Sequence, residues 1–228
     1  RHASFQGLRD DKPAAEVRRE SPLDGSATTA PAPAPARRAP AQTKVSNPER
    51  VIDASTGLKK LDLVRYYESV ADWILPHLRG RPVSLVRGPT GVGGELFFQK
   101  HGEKIGIPGI RELDPALWPG HQALLEIASV EALVGAAQMN AIELHTWNST
   151  TKAIDKPDRV IFDLDPGEGV TWPQLQEAAL LTRTILTELG LESWLKTSGG
   201  KGLHVVVPLA PRFDYDDVNG FSKAKTRF

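Results

Sequence analysis

The stretch Arg159-Val-Ile-Phe-Asp163-Leu-Asp165-Pro166 decides the fold prediction, because an apolar run ends there in two carboxylates one residue apart. The run predicts a strand, and alternate residues of a strand point to the same face, so the carboxylates converge to roughly 7 Å. Two like charges so close are unfavourable without a cation, and their hard oxygen ligands suit Mg²⁺ or Mn²⁺. We therefore expect Asp163 and Asp165 to form a buried divalent-metal site on a central strand.

A second motif, Ser198-Gly-Gly-Lys201-Gly-Leu-His204, follows about thirty-five residues after the acid pair. Residues 171–190, between the two motifs, carry the apolar period and the end signals of a helix. The second motif predicts a glycine-rich turn between two strands, whose amide groups, lysine and histidine could hold an anion. A metal pair beside an anion site is the arrangement that phosphoryl transfer requires.

Further helices and strands are predicted from hydrophobic periodicity on both sides of these motifs. We expect helices over 61–78, 129–139 and 216–228, and strands over 82–87, 95–100, 141–145, 192–197 and 203–209. Their order predicts an α+β fold with one central mixed sheet flanked by helices. The sequence Gly88-Pro-Thr-Gly-Val-Gly-Gly-Glu95 resembles a phosphate-binding Walker loop but lacks its Lys and Ser/Thr, so we interpret it as a β-turn.

The composition limits the class of protein. The 228 residues include no Cys, which excludes disulfides and thiolate metal sites and is typical of a cytoplasmic protein. No apolar run is long enough to cross a membrane. Lys and Arg together number 28, as do Asp and Glu, so any nucleic-acid surface must be a local patch. Residues 44–104 hold ten basic and seven acidic residues, and the candidate contacts there include Arg50, Lys60, Arg87 and Lys100.

Three segments are expected along the chain. Residues 1–20 are polar and resemble the tail of a preceding domain. Residues 21–46 are rich in Ala and Pro, which alternate over residues 30–36, and this favours an extended linker with little to bury. Residues 47–228 form the folded domain.

Two pairs of residues leave alternatives open. Phe97 and Phe98 are adjacent on a predicted strand, so one should lie in the core and the other could stack on a base, worth about 1–3 kcal/mol. His145 is either a hydrogen-bonded structural residue or a functional one. His204 interrupts an apolar strand and needs a polar partner, for which a phosphate is one candidate.

Three motifs together resemble the polymerase domain of bacterial ATP-dependent DNA ligase D, a member of the archaeo-eukaryotic primase superfamily. They are Glu143-Leu-His145-Thr-Trp-Asn148, Phe162-Asp163-Leu-Asp165-Pro166 and the Ser198–His204 turn. The resemblance covers roughly residues 47–228. It extends to residues 1–20, which resemble the end of that protein's ligase domain.

The resemblance implies a template-directed nucleotidyltransferase with the primase-polymerase fold. Such a domain adds nucleotides, preferably ribonucleotides, to broken DNA ends before ligation in non-homologous end joining. It takes NTP or dNTP substrates with two Mn²⁺ or Mg²⁺ ions. The implied partners are DNA ends carrying a 5′-phosphate, Ku, and the ligase and nuclease domains of the same polypeptide. The implied localisation is the bacterial cytoplasm, at the nucleoid.

The resemblance also implies roles for individual residues. Asp163 and Asp165 match the metal-binding catalytic acids, and the third acid of the family is expected beyond Phe228. The expected triphosphate-binding residues are His145, Ser198, Lys201 and His204. Phe97 matches an aromatic residue near the template and the base, and Arg50 and Lys60 match basic positions implicated in primer extension.

Two other functions remain compatible with the residues alone. One is a metal-dependent phosphohydrolase that uses Asp163 and Asp165, although Gly167 stands where such enzymes usually carry Thr or Val. The other is a DNA-end-binding module without activity, because the third acid of the polymerase family is expected outside this sequence.

Overall fold

The computed structural model describes residues 45–102 and 106–225. All of the described residues belong to one compact unit. The predicted domain tail at 1–20 and nearly all of the predicted linker lie outside the described residues. No helix in the described part of the chain is both long enough and apolar enough to span a bilayer.

Ten strands and four α-helices make up the described part of the domain. The strands are β1 (Val51–Asp53), β2 (Leu58–Lys59), β3 (Val83–Arg87), β4 (Phe97–Gln99), β5 (Arg111–Glu112), β6 (Leu125–Glu126), β7 (Ala141–Thr146), β8 (Arg159–Leu164), β9 (Trp194–Thr197) and β10 (Leu203–Pro208). The helices are α1 (Lys60–Leu78), α2 (Val130–Gln138), α3 (Trp172–Glu188) and α4 (Tyr215–Lys225).

The predicted helices are confirmed to within a residue or two at their described ends, because local signals define those ends. The Ser129 hydroxyl accepts a hydrogen bond from the amide of Ala132, 3.2 Å away, and starts α2. The Gln174 side chain accepts the amide of Thr171 at 2.8 Å and starts α3. After α3, Gly190 adopts a φ of 73°, a left-handed conformation that ends a helix at little cost.

The first sheet has the strand order β4-β3-β6-β5, with β7 paired to β3 as well. Helices α1 and α2 pack on it and form one hydrophobic core with its strands. Leu85, Leu125 and Leu133 are almost completely excluded from water in this core. The first sheet therefore holds β7, and with it His145, on a rigid support.

The second sheet has the order β8-β10-β9, with α3 packed on one face around Val160, Val205 and Val207. The expectation of a central acidic strand is wrong for the described residues, where β8 is an edge strand and β10 lies in the middle. The crossover from β8 through α3 to β9 exists, but the β9–β10 hairpin inserts β10 between the two strands that the crossover connects.

The fold class, α+β, is confirmed, while the expected single mixed sheet is not observed. Every strand pairing within the described residues is antiparallel, and the strands belong to separate sheets. The Arg81 guanidinium connects the two large sheets through two hydrogen bonds to the Asp158 carboxylate, at 2.7 and 2.6 Å. Sequence periodicity predicts individual strands but carries no information on which strands pair.

A buried hydrogen bond attaches α1 to β7, and removing it should reduce stability. The Tyr67 hydroxyl donates to the carbonyl oxygen of Ala141 at 2.9 Å, and Tyr67 is 4% exposed. Replacing Tyr67 by Phe leaves that buried carbonyl without its donor, so we expect the free energy of unfolding to fall by about 1–2 kcal/mol. Urea denaturation measures the change. Tyr66→Phe is the matched control, since Tyr66 is 58% exposed, and an equal loss in both variants would contradict the prediction.

Candidate active site

Strand register places three polar side chains in a row across one face of the second sheet. His204 of β10 pairs with Asp163 of β8 on one side and with Lys196 of β9 on the other. Directly opposed residues point to the same face, with Cβ atoms about 4.5–5.5 Å apart. The Nε2 atom of His204 lies 3.3 Å from Oδ1 of Asp163. We call Asp163, His204 and Lys196 the first row.

A second row lies at the turn end of the same sheet and consists of Asp165, Gly202 and Ser198. A Cβ atom built on Gly202 would lie 2.6 Å from Oδ1 of Asp165 and 3.4 Å from the Ser198 hydroxyl oxygen. Asp165 and Ser198 therefore flank a position that holds no side chain. The two rows together bring both acids of the first motif beside the second motif, as the sequence predicted.

The glycine-rich turn is folded by Ser198. Its hydroxyl accepts the amides of Gly200 and Gly202, at 3.3 and 3.1 Å, and donates to the carbonyl oxygen of Gly202 at 3.0 Å. The Lys201 ammonium donates to the carbonyl oxygen of Pro166 at 3.3 Å, just beyond the acid pair. The turn is thus held against the end of β8, with two of its amides directed to one hydroxyl.

The acid pair is exposed, which corrects the expectation of a buried site. The Asp163 side chain is 59% exposed, and Asp165 is exposed as well, because the edge strand β8 ends in solvent. The described residues contain no cluster of three or more His, Cys, Asp or Glu side chains that could hold a metal. Two exposed carboxylates fit Mg²⁺ or Mn²⁺ nonetheless, since Mg²⁺ commonly binds one or two carboxylates and takes waters and substrate phosphates as its other ligands.

His204 is held mainly in its neutral form. Burial lowers its pKa, and the Lys196 charge lowers it further, while Asp163 and Asp165 act in the opposite direction. Its Nδ1 atom is buried and has no hydrogen-bond partner in the described structure. A neutral ring with its proton on Nε2 faces Asp163 as a donor and leaves only an acceptor unpartnered.

His145 approaches the same site from the first sheet. It pairs with Ser84 on β3, and its Nε2 atom lies 2.6 Å from the Glu143 carboxylate. Both side chains are about half exposed, and an exposed pair of this kind contributes little to stability. The charge of His145 also lowers the pKa of His204, so the two histidines are close enough to interact electrostatically.

Neither Phe97 nor Phe98 lies in the core, so the expectation that one would be buried is wrong. They are 40% and 60% exposed, because β4 is a three-residue strand at the edge of the first sheet. Phe97 lies 5.0 Å from the Arg87 guanidinium. Phe98 lies on the opposite face, with its ring centroid 5.3 Å from that of His145 in an edge-on arrangement. Phe98, to which the resemblance assigned no role, is thus the phenylalanine beside His145.

The predicted basic contacts occupy different environments. Arg50 donates to the Pro89 carbonyl oxygen, and the backbone amide of Lys60 donates to the Arg50 carbonyl oxygen at 2.8 Å. Lys60 is only 4% exposed, and burial followed by the Arg50 charge lowers its pKa. Lys100 is exposed directly after β4.

Arg87 is mostly buried and is bonded inside the protein. It donates to the Gln99 side chain at 2.6 Å and to the Met139 carbonyl oxygen at 2.9 Å. These bonds, with the Phe97 contact, favour a role in supporting β4 rather than a direct contact to DNA. The loop over residues 88–96 that follows it connects β3 to β4 without a helix, as expected for a turn rather than a Walker loop.

Lys196 belongs to the site but was not predicted. It lies in the first row by register, although local sequence gives no reason to choose it among other strand lysines. Burial and the Arg159 charge lower its pKa, while Asp163 raises it. Only the pairing of β9 with β10 reveals its position.

Comparison with known proteins identifies the family. The family described as LigD, primase-polymerase domain, matches residues 59–227. The multifunctional non-homologous end joining protein LigD of Pseudomonas aeruginosa is 51% identical over 227 residues, which is 98% of this chain and 27% of that protein. The LigD protein of Mycolicibacterium smegmatis is 37% identical over 171 residues, 74% of this chain and 22% of that protein.

A solved structure agrees with these relatives. The polymerase domain of Mycobacterium tuberculosis ligase D, in complex with DNA, superposes with a TM-score of 0.66 at 33% identity. The match covers 74% of this chain and 61% of that chain. This chain spans about a quarter of the length of the curated relatives it matches. The predicted fold and enzyme class, a nucleotidyltransferase domain, are confirmed, and the chain belongs to the primase-polymerase domain family of the LigD end-joining proteins.

Proposed function

We propose that this domain adds nucleotides to the 3′ ends of broken DNA, under the direction of a template, before ligation in non-homologous end joining. The observation that carries the proposal is the pair of rows on the second sheet. They place two exposed carboxylates directly beside a serine, a histidine and two lysines. Polymerisation needs both kinds of group. Carboxylates hold divalent cations, and the cationic and hydroxyl groups hold a triphosphate.

In the proposed reaction, the 3′-hydroxyl of a primer attacks the α-phosphate of an NTP or dNTP. A new phosphorus–oxygen bond forms as the hydroxyl proton passes to solvent, the bond from the α-phosphorus to the oxygen that bridges it to the β-phosphate breaks in line, and pyrophosphate leaves. Asp163 and Asp165 would hold divalent cations, which supply activation of the hydroxyl and neutralisation of the triphosphate. A third carboxylate would complete the site, and among the described residues no third Asp, Glu, His or Cys joins these two acids in a cluster that could hold a metal.

The protein's own groups would bind and orient the triphosphate. Ser198 can release the amides of Gly200 and Gly202 to phosphate oxygens, because an anion is a stronger acceptor than a hydroxyl. Lys201 can leave the Pro166 carbonyl in the same way. His204 and His145 would contact the phosphates from the two sheets, with the Glu143 carboxylate 2.6 Å from Nε2 of His145.

A separate pocket would recognise the 5′-phosphate of the broken end. Lys60 is buried next to Arg50, and no carboxylate forms an ion pair with it among the described residues. Two neighbouring cations, one of them desolvated, attract a doubly charged phosphate strongly. We propose Lys100 as a weaker contact to the DNA backbone. Ku would be the partner that delivers the DNA end, and ribonucleotides the preferred substrates.

The test is nucleotide addition to a gapped primer–template in the presence of Mn²⁺, with either a 5′-phosphate or a 5′-hydroxyl across the gap. The substrates are ATP and dATP opposite a templating T. The 228-residue chain and a longer chain that includes the third acid are assayed in parallel. We expect templated addition by the longer chain, faster with the 5′-phosphate, and faster with ATP than with dATP.

Other outcomes would point elsewhere. Gel-shift binding to the 5′-phosphorylated gap without addition by either chain would indicate a DNA-end-binding module. Release of phosphate from generic phosphatase substrates without nucleotide addition would indicate a phosphohydrolase and would contradict the proposal.

Substitutions of the two phenylalanines should have different effects on the nucleotide KM in this assay. Phe98 lies beside His145, so we propose that it stacks on the base of the incoming nucleotide, while Phe97, on the other face, contacts the template. A stacked base is worth about 1–3 kcal/mol, so Phe98→Ala should raise the nucleotide KM about 5- to 160-fold. Phe97→Ala should leave the nucleotide KM nearly unchanged and weaken binding of the template strand. The opposite pattern would assign the nucleotide contact to Phe97.

A further inference from the structure

Arg159 connects the two halves of the site, and neither the sequence motifs nor the proposed reaction assigns it a role. It opens β8 four residues before Asp163, and an even separation on a strand places the two side chains on the same face. Its guanidinium crosses from the second sheet to the end of β7, which belongs to the first sheet.

Three hydrogen bonds define this contact. Nη2 donates to the Thr146 hydroxyl at 2.5 Å and to the Trp147 carbonyl oxygen at 3.1 Å, and Nε donates to the Asn148 side-chain oxygen at 3.0 Å. These acceptors are three consecutive residues, so one planar group holds the whole end of β7. Thr146, the first of them, directly follows His145.

We propose that Arg159 is a positioning residue, which sets the distance between His145 on the first sheet and the Asp163–Asp165 pair on the second. The proposal rests on the proposed function, because it concerns how one nucleotide triphosphate is held by both sheets. Arg159 touches neither the acids nor the histidines, and it acts through the strands that carry them.

A small movement at the Arg159 end of β8 becomes a larger movement at the acid pair. Asp163 lies about 13 Å along β8 from Arg159, at roughly 3.3 Å per residue. A small rotation of β8 relative to β7 at the Arg159 end therefore moves the acid pair by a larger amount. A displacement of about 1 Å can cost about 100-fold where groups must be aligned, and the groups aligned here are the contacts from both sheets to one triphosphate, so the loss should appear in the nucleotide KM.

Burial and chemistry explain why this residue is Arg. The guanidinium is partly buried, and burial together with the neighbouring Arg81 charge lowers its pKa. Three neutral acceptors compensate the lost hydration. A lysine ammonium carries its three donors on one tetrahedral nitrogen, so it cannot hold three acceptors in one plane. Arg159→Lys thus keeps the positive charge and loses the planar set of hydrogen bonds to the end of β7.

The experiment compares Arg159→Lys with Arg81→Gln in the longer chain. The guanidinium of Arg81 also connects the two sheets, but among the described residues its side-chain hydrogen bonds go to Asp158 and not to β7 or the acid pair. We expect both variants to lower the melting temperature. Only Arg159→Lys should raise the nucleotide KM, by about 10-fold or more, while its KM for the 5′-phosphorylated DNA stays within about 2-fold of wild type.

A second variant keeps the proposal testable if Arg159→Lys does not fold. Thr146→Val removes one acceptor and nothing else, so it should raise the nucleotide KM more weakly, with no further effect when combined with Arg159→Lys. An unchanged nucleotide KM in Arg159→Lys, or in Thr146→Val if Arg159→Lys does not fold, would overturn the proposal. Equal KM shifts in Arg159→Lys and Arg81→Gln would overturn it too. A wild-type chain without nucleotide addition would instead contradict the proposed function.

Discussion

Asp163→Asn should reduce nucleotide addition by about 1,000-fold or more. A bound cation supplies several kcal/mol of transition-state stabilisation, and each 1.36 kcal/mol corresponds to a factor of about 10 in rate. Asparagine has the same shape and keeps its side-chain oxygen near Nε2 of His204, which lies 3.3 Å from Oδ1 of Asp163. The substitution therefore removes the charge that holds the cation while keeping the local packing.

The free energy of unfolding should change by less than about 0.5 kcal/mol, because the Asp163 side chain is 59% exposed. Single-turnover addition with Mn²⁺ measures the rate, and calorimetric titration with Mn²⁺ measures the affinity for the cation. Asp155→Asn, which removes one exposed acid from a loop outside the site, is the matched control. A rate for Asp163→Asn within about 10-fold of wild type would exclude Asp163 as a metal ligand.

The parts of this fold that the sequence predicted correctly are those specified by neighbouring residues. The ends of α2 and α3 follow from Ser129, Thr171 and Gly190, each of which acts within one turn of helix. The convergence of Asp163 and Asp165 follows from strand alternation alone. The exposure of β8 could not be predicted, because it depends on the insertion of β10 between β8 and β9.

The candidate site shows the same division between local and long-range information. Ser198, Lys201 and His204 lie in one hairpin, so their spacing already places them together. Lys196 and Phe98 enter the site only through the pairing of strands, and Arg159 through contacts to another sheet. The resemblance to a family supplied residue roles that spacing alone did not, for positions within the three motifs and for Phe97, Arg50 and Lys60 outside them, but it assigned none to Lys196 or Arg159.

Gly202→Ala should cause the second large loss of activity, because the second row has no room for a methyl group. The added Cβ would lie 2.6 Å from the Asp165 carboxylate oxygen and 3.0 Å from the Leu164 carbonyl oxygen. The Asp165 side chain must turn away or the β8–β10 pairing must shift. Either response moves a proposed metal ligand, and we expect nucleotide addition to fall about 100-fold.

Gly200→Ala is the control for this substitution, because the nearest atom to its added Cβ is the Ser198 hydroxyl oxygen at 3.9 Å, an ordinary contact. Its addition rate should stay within about 3-fold of wild type. Gly202→Ala should also lose about 1–3 kcal/mol of stability through overpacking, so rates are compared at a temperature where both variants are folded. If Mn²⁺ affinity and the addition rate both survive in Gly202→Ala, then Asp165 does not need the position that it occupies beside Ser198. The two rows would then not act together as one site, and Asp163 with the first row would have to account for the chemistry alone.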